Sequence, residues 1–193
     1  MVLDLFFFFK VFFEQLAGIR CVDVIFCICS AVVMTICYAF ICNKQKKIRS
    51  TSFLIFVFWA LLFFEITFLI TVFRREPGTE YHSGEIVPYI FIGNIYGDIY
   101  DRRQTIYNFL NIVLFVPIGF FLRGLRIDSR GIKDTCITVL LGFLFSFFIE
   151  CVQLITKRGN FELNDIVTNT VGAFLGIIIF ELLRGVLKSE RIK

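Results

Sequence analysis

Five long apolar runs restrict what this chain of 193 residues can fold into. A helix needs about 20 mostly apolar residues to cross roughly 30 Å of hydrocarbon. The runs cover residues 24–42, 52–73, 106–122, 135–156 and 165–183. Hydrophobic residues make up 58% of the chain, and a soluble domain of this length could not bury so many. We therefore expect an all-α polytopic membrane protein with five transmembrane helices.

Positive charge divides the segments between these runs into two groups. Residues 43–50, 123–134 and 184–193 each hold four Lys or Arg residues, which together are twelve of the 20 in the chain. Five spans place all three segments on one side of the membrane, and the positive-inside rule identifies that side as the cytoplasm. The C-terminus is then cytoplasmic. Residues 74–105 and 157–164 are expected outside.

The first twenty residues form a Phe-rich helix candidate with its polar side chains on one side. We expect residues 1–20 to form an amphipathic or re-entrant helix at the outer side, ahead of a helical membrane domain over residues 21–193. Two alternatives stay open. A sixth span would place the N-terminus in the cytoplasm, and a hydrophobic targeting segment would have no further role.

Two stripes of small and polar residues interrupt the last two apolar runs. Within each stripe the residues are three or four positions apart, so each stripe lines one face of a helix. The stripes are Gly142, Ser146, Glu150 and Gln153, and Asp165, Asn169, Gly172 and Gly176. Facing helices with such stripes can pack closely and bury a polar site between them. Acidic residues in membrane spans cost about 2.5–3.5 kcal/mol each, so they usually mark function.

Each of these candidates also has a structural interpretation. Glu150 and Gln153 could handle protons or bind a head group, or they could clamp two helices together. Asp165 could complement the dipole of the fifth helix, with Asn164 as its N-cap. Asn169 and the glycines favour packing. The proline at position 117 predicts a kink in the third span.

Three motifs carry a resemblance to a known family. They are NIVLFVPIGFFL at 111–122, the pair Glu150 and Gln153, and RGNFELNDIVTNTVGAFLG at 158–176. Together they resemble the signature of the VanZ-like membrane family. The run ITVFRREP at 70–77 is similar to the end of the second span in members of that family. The resemblance covers roughly residues 55–183.

The resemblance implies two sets of site residues. Ligand-binding roles fall on Arg75, Asn111, Glu150, Gln153, Arg158, Asp165 and Asn169. Structural roles fall on Pro117, Gly119 and Gly172, and helical spacing adds Gly176 from the same stripe. One departure matters, because Asn164 precedes Asp165 where the family often has a second acid. That weakens any role for paired carboxylates or a bound divalent cation.

The founding member of the family is associated with reduced susceptibility to the glycopeptide teicoplanin. The resemblance therefore implies a bacterial cytoplasmic membrane protein whose polar site near the outer leaflet affects teicoplanin susceptibility or the handling of cell-envelope precursors. Expected partners are membrane lipids, a lipid-linked peptidoglycan precursor or a glycopeptide, and a homo-oligomer stays open. We expect no cofactor, metal or nucleic acid.

Two other classes of function compete with this one. The first is a membrane enzyme that acts on a lipid-linked envelope substrate, with Glu150 or Asp165 as acid–base. The second is a small transporter or a partner subunit. A protein without catalytic activity is the preferred interpretation.

Overall fold

The structure is a computed structural model. It describes residues 6–11, 21–44, 51–73, 85–88, 90, 99–126 and 131–190. This part of the chain contains five helices that are long and apolar enough to cross a membrane. They are α1 (Cys21–Lys44), α2 (Thr51–Phe68), which continues as a π-helical turn over Leu69–Phe73, α3 (Ile99–Leu125), α4 (Ile132–Thr156) and α5 (Leu163–Glu190). The predicted all-α multi-pass membrane fold is confirmed, and the described residues contain the five predicted spans.

A left-handed residue ends α4 and turns the chain back into α5. Lys157 has φ 54° and ψ 33°, the conformation that commonly terminates helices. The N–H of Lys157 donates to the carbonyl of Leu154, and the N–H of Arg158 donates to that of Gln153. These bonds satisfy carbonyls at the end of α4 that have no partner within the helix. The result is a tight reversal, and α5 runs antiparallel to α4.

Glycines bring the parallel helices α3 and α5 into backbone contact. A Cβ atom added at Gly119 would collide with the carbonyl oxygen of Ala173. One added at Gly172 would collide with that of Ile112, and one at Gly176 would collide with that of Val116. Small residues permit such an approach between membrane helices, where van der Waals packing is a main source of attraction. The two helices therefore form a close pair.

The α5 stripe is divided between two neighbours, so only part of it faces the α4 stripe. Asn169 contacts Ser146 of α4 through a hydrogen bond, and Ala173 lies against Gly142. Gly172 and Gly176 instead face α3. The reason is that the stripe lies between α3 and α4. Helix α3 comes closest at the glycines of the stripe, which have no side chain. The α4 stripe is buried along its whole length.

Large side chains fill the space between α2, α3 and α4. Val72, Phe115, Ile118 and Ile149 are fully buried together. The ring of Phe145 lies against this cluster, 5.9 Å from the ring of Phe115 between centroids. Interlocking aromatic and branched side chains hold these three helices at fixed distances.

Helix α1 lies at the side of the bundle and packs on α2. Cys27 and Ala31 of α1 are buried against Leu62. Glu65 of α2, an acid in the middle of a span, accepts a hydrogen bond from Ser30 at this interface. Many other α1 side chains are exposed and apolar, as expected for a helix that faces lipid.

The described part of the N-terminal region lies against α3. Residues 6–11 are helical, and Val11 is fully buried. The ring of Phe8 is 5.9 Å from that of Phe109, and the Arg102 guanidinium lies 5.8 Å from the centre of the Phe7 ring. Residues 1–5 and 12–20 lie outside the described residues. The choice between an amphipathic helix and a sixth span therefore stays a prediction.

The contact between α3 and α5 generates a test with a matched control on the same helix. Gly176→Ala should lower the free energy of unfolding by about 1–3 kcal/mol, because the added methyl group pushes the two backbones apart. Gly185→Ala meets nothing within 4 Å and should be neutral or raise stability by about 0.5–1 kcal/mol. Reversible unfolding in mixed detergent and SDS micelles measures both. Equal effects of the two substitutions would contradict the close contact.

Candidate functional site

Buried polar side chains gather where α2 and α4 end and α3 and α5 begin. We call this region the polar end, and it consists of Thr71, Asn108, Ser146, Glu150, Gln153, Glu162, Asn164 and Asn169. Six of its side chains are at least 94% buried: Asn108, Ser146, Glu150, Gln153, Asn164 and Asn169. Groups of this kind are costly in a membrane protein unless they pair with one another. Their pairing therefore shows how the helices are held here.

Gln153 joins the ends of α4 and α2. Its Nε2 atom donates a 2.8 Å hydrogen bond to the carbonyl oxygen of Thr71, which lies in the π-helical turn that ends α2. Carbonyls in the last turn of a helix lack partners within the helix, so a side-chain amide is a suitable donor. This geometry supports the clamp interpretation of Gln153.

Glu150 holds the connection between α4 and α5. Its side chain is 1% exposed, and Oε2 accepts a 2.9 Å hydrogen bond from the backbone N–H of Glu162. Glu162 belongs to the short strand β2 (Phe161–Glu162). The buried carboxyl group therefore contacts the connection directly, and through it the segment that precedes α3.

Strand β2 pairs in parallel with β1 (Ile86–Val87), which lies between α2 and α3 in the chain. The N–H of Phe161 donates to the carbonyl of Glu85 at 2.9 Å. Successive N–H groups of a strand point to opposite sides. Phe161 therefore bonds to the β1 side, while Glu162 bonds to Glu150. This two-residue pairing had no signal in the hydrophobic pattern of the sequence.

An asparagine pair joins the third turn of α3 to the first turn of α5. Nδ2 of Asn164 donates to Oδ1 of Asn108 at 2.6 Å, and both side chains are buried. Helix α5 begins at Leu163, so Asn164 lies inside it and the expectation that Asn164 precedes the helix as its N-cap is wrong. An ionised acid at this position could not donate the bond, because a carboxylate only accepts. The amide that departs from the family pattern therefore has a defined structural role.

Asn169 makes the third contact, between α5 and α4. Its Nδ2 atom donates to Oγ of Ser146 at 2.9 Å. Its Oδ1 atom is buried and has no hydrogen-bond partner among the described residues. Buried polar atoms are normally paired, so this oxygen marks a point where the polar end still has capacity to accept a bond.

The remaining predicted ligand-binding residues lie around this buried group. Asn111 in α3, Asp165 in the first turn of α5 and Arg158 in the preceding turn are all half-buried. Arg75 lies outside the described residues. A kink was predicted at Pro117, and α3 is one continuous helix through this residue. Among the described residues, no three His, Cys, Asp or Glu side chains converge to hold a metal ion.

Two of the buried residues were not among the predicted ligand-binding residues. Asn108 and Asn164 pair across 56 positions, which no local pattern reveals. The available signal was composition, because each is an asparagine at the start of a predicted span. Ser146 was part of the predicted stripe, and its hydrogen bond with Asn169 needed the structure.

Comparison with known proteins gives two matches. The family model described as VanZ/LLP1 matches residues 51–184. The chain is also similar to Protein VanZ of Enterococcus faecium, with 27% identity over 130 residues, which are 67% of this chain and 70% of that relative. No solved structure matches the chain. The matched range begins with the first residue of α2 and ends near the last turns of α5, so it contains the polar end.

Substitution of Glu150 tests its contact with the connection. Glu150→Ala removes the acceptor of the Glu162 N–H and should cost about 1–3 kcal/mol of unfolding free energy. Glu150→Gln keeps an acceptor oxygen of the same reach and should cost clearly less. Cys151→Ala is the neighbouring control. Amide hydrogen exchange at Glu162 should accelerate only in the alanine variant, and unchanged exchange there would show that the bond does not protect this amide.

A double-mutant cycle tests the asparagine pair. Asn108→Ala and Asn164→Ala should show a coupling of about 0.6 kcal/mol, with about 1.7 as the upper limit for such bonds in membranes. Thr138 lies at the opposite end of α4, so Asn108→Ala and Thr138→Ala should be additive within about 0.5 kcal/mol. Unfolding free energies of the single and double variants give both values. Additivity of the two asparagine substitutions would show that the pair contributes nothing specific.

Proposed function

The chain belongs to the VanZ/LLP1 family, and on that premise we propose that it lowers susceptibility to the glycopeptide teicoplanin through its polar end. The observation that carries the proposal is the position of Glu150, Gln153 and Asn169. All three were predicted as ligand-binding residues, and all three lie buried at one end of the bundle within the matched range. The protein acts there as a multi-pass membrane protein at the cell envelope.

The orientation of the bundle supports contact with the envelope. The ends of α1, α3 and α5 and the starts of α2 and α4 lie at the end opposite the polar end. In the sequence, the three basic segments at 43–50, 123–134 and 184–193 begin in the last two turns of α1, α3 and α5. The positive-inside rule then assigns that opposite end to the cytoplasm. The polar end consequently faces the outside, at the level of the outer leaflet.

The burial pattern favours a binding protein over an enzyme. Glu150 is 1% exposed and holds the Glu162 N–H, so it supports the site from within. Asp165 and Arg158 are half-buried and lie at the rim, where a ligand reaches them more easily. A guanidinium matches the phosphate of a lipid-linked precursor or the carboxylate of a glycopeptide. The rim therefore recognises the ligand, and the buried group maintains the rim.

Susceptibility of a sensitive host carrying the wild type or a variant tests this function. The wild type should protect against teicoplanin and leave vancomycin susceptibility nearly unchanged. Arg158→Gln and Asp165→Asn should return teicoplanin susceptibility to the level of the empty vector. Asp134→Asn makes the same carboxyl-to-amide change on α4 at the opposite end, and it should retain protection. Membrane protein levels are checked by blot for every strain.

Two results would contradict the proposal. An abundant wild type that changes neither susceptibility would show that this chain does not act on teicoplanin. Labelling of the Lys-rich segment 43–50 by an impermeant reagent in intact cells would show that the protein has the opposite orientation. The polar end would then face the cytoplasm, away from glycopeptides.

A further inference from the structure

A second charged cluster lies at the end of the bundle opposite the polar end. We call it the arginine cluster, and it consists of Arg123, Arg126, Asp134, Glu181 and Arg184. Arg123 of α3 forms an ion pair with Glu181 of α5 and donates a 2.9 Å hydrogen bond to the carbonyl of Arg126. Arg126 forms a 3.0 Å ion pair with Asp134 of α4. The cluster thus joins the ends of α3 and α5 to the start of α4.

The three arginines of the cluster differ in their burial and in the contacts that they make. Arg123 has a side chain only 3% exposed, and its guanidinium is committed to the protein interior. Arg184 reaches Glu181 at 3.8 Å, which is too long for a hydrogen bond. The Nε atom of Arg126 is buried without a hydrogen-bond partner among the described residues. Arg184 therefore retains donor capacity at the surface, whereas the Nε atom of Arg126 is enclosed by the protein.

The charges of the cluster also leave an excess. Among the described side chains, three guanidinium groups face two carboxyl groups, and Glu181 is shared between Arg123 and Arg184. Both remaining cations are partly accessible, since the side chain of Arg126 is 31% exposed and that of Arg184 is 23% exposed. A group with one or more negative charges would complete the cluster.

The depth of the cluster identifies the kind of group. Arg184 lies two residues before the end of the α5 membrane segment (Leu163–Val186), and Arg126 directly follows that of α3 (Tyr100–Leu125). Lipid phosphates lie at this boundary between hydrocarbon and water. Leu182, Leu183 and Val186 beside Arg184 are all at least half exposed. The surface thus offers a cation next to an apolar face, which matches an anionic amphiphile.

We propose that Arg184 and Arg126 bind the phosphate of an anionic phospholipid, whose acyl chains lie along the exposed apolar face of α5. The planar guanidinium of Arg184 donates to the phosphate oxygens, and the partly exposed side chain of Arg126 adds a second positive charge. The excess positive charge selects an anionic lipid over a zwitterionic one. This site is independent of the polar end and of any effect on teicoplanin.

Lipid retention by the purified full-length protein tests the site. The protein is titrated with phosphatidylglycerol in micelles that contain phosphatidylcholine, and bound lipid is counted by native mass spectrometry. Arg184→Gln should bind phosphatidylglycerol about fivefold more weakly than the wild type, because each interfacial arginine contributes about a factor of five. Lys133→Gln removes the same charge from an exposed residue at the same end and should bind like the wild type.

Three outcomes decide the proposal. Weaker binding by Arg184→Gln alone, with partial recovery in Arg184→Lys, supports a phosphate held by the guanidinium. Equal retention of phosphatidylglycerol by Arg184→Gln and the wild type overturns it. Competition by inorganic phosphate as effective as that by phosphatidylglycerol also overturns it, because the site would then take a free anion. Arg184→Lys preserves the charge, so it keeps the test valid if the glutamine variant does not accumulate.

Discussion

The backbone contact between α3 and α5 is the constraint on which the rest of the structure depends. Gly119, Gly172 and Gly176 let two parallel helices touch along their middle turns. Each end of this pair is then closed by a polar contact. Asn164 bonds to Asn108 at one end, and Arg123 pairs with Glu181 at the other. The polar end and the arginine cluster are thus the two ends of one rigid helix pair.

Two parallel helices need a segment between them in sequence that brings the chain back across the membrane, and α4 is that segment for α3 and α5. Its buried stripe faces inward against α5, and its last two turns carry Glu150 and Gln153. Glu150 holds the connection to α5, while Gln153 holds the end of α2. Hydrogen bonds of this kind contribute only about 0.6 kcal/mol each on average in membranes. Their main effect is to select one arrangement of helices among several of similar packing.

The two ends of the bundle suit different partners. At the polar end the acids and amides are mostly buried and paired with protein groups, and only the rim is accessible. At the other end Arg184 and Arg126 are partly exposed beside apolar side chains. A binding function at the rim and an anchoring lipid at the arginine cluster would act on the same helix pair. The two sites are separated by the middle of α3 and α5, where the contact between the two helices has no polar side chain.

The sequence by itself determined that each of the five long apolar runs is a spanning helix, because their length and apolar composition leave no other way to satisfy the backbone in lipid. Helical spacing also predicted which residues of α4 share a buried face, as Glu150 and Gln153 do. Only the tertiary structure decided the partner of each face. Spacing does not define the rotation of one helix about its axis relative to another, so it did not reveal that Gly172 and Gly176 face α3. Nor could it pair Asn164 with Asn108, since contacts between distant segments depend on the packing of the whole bundle.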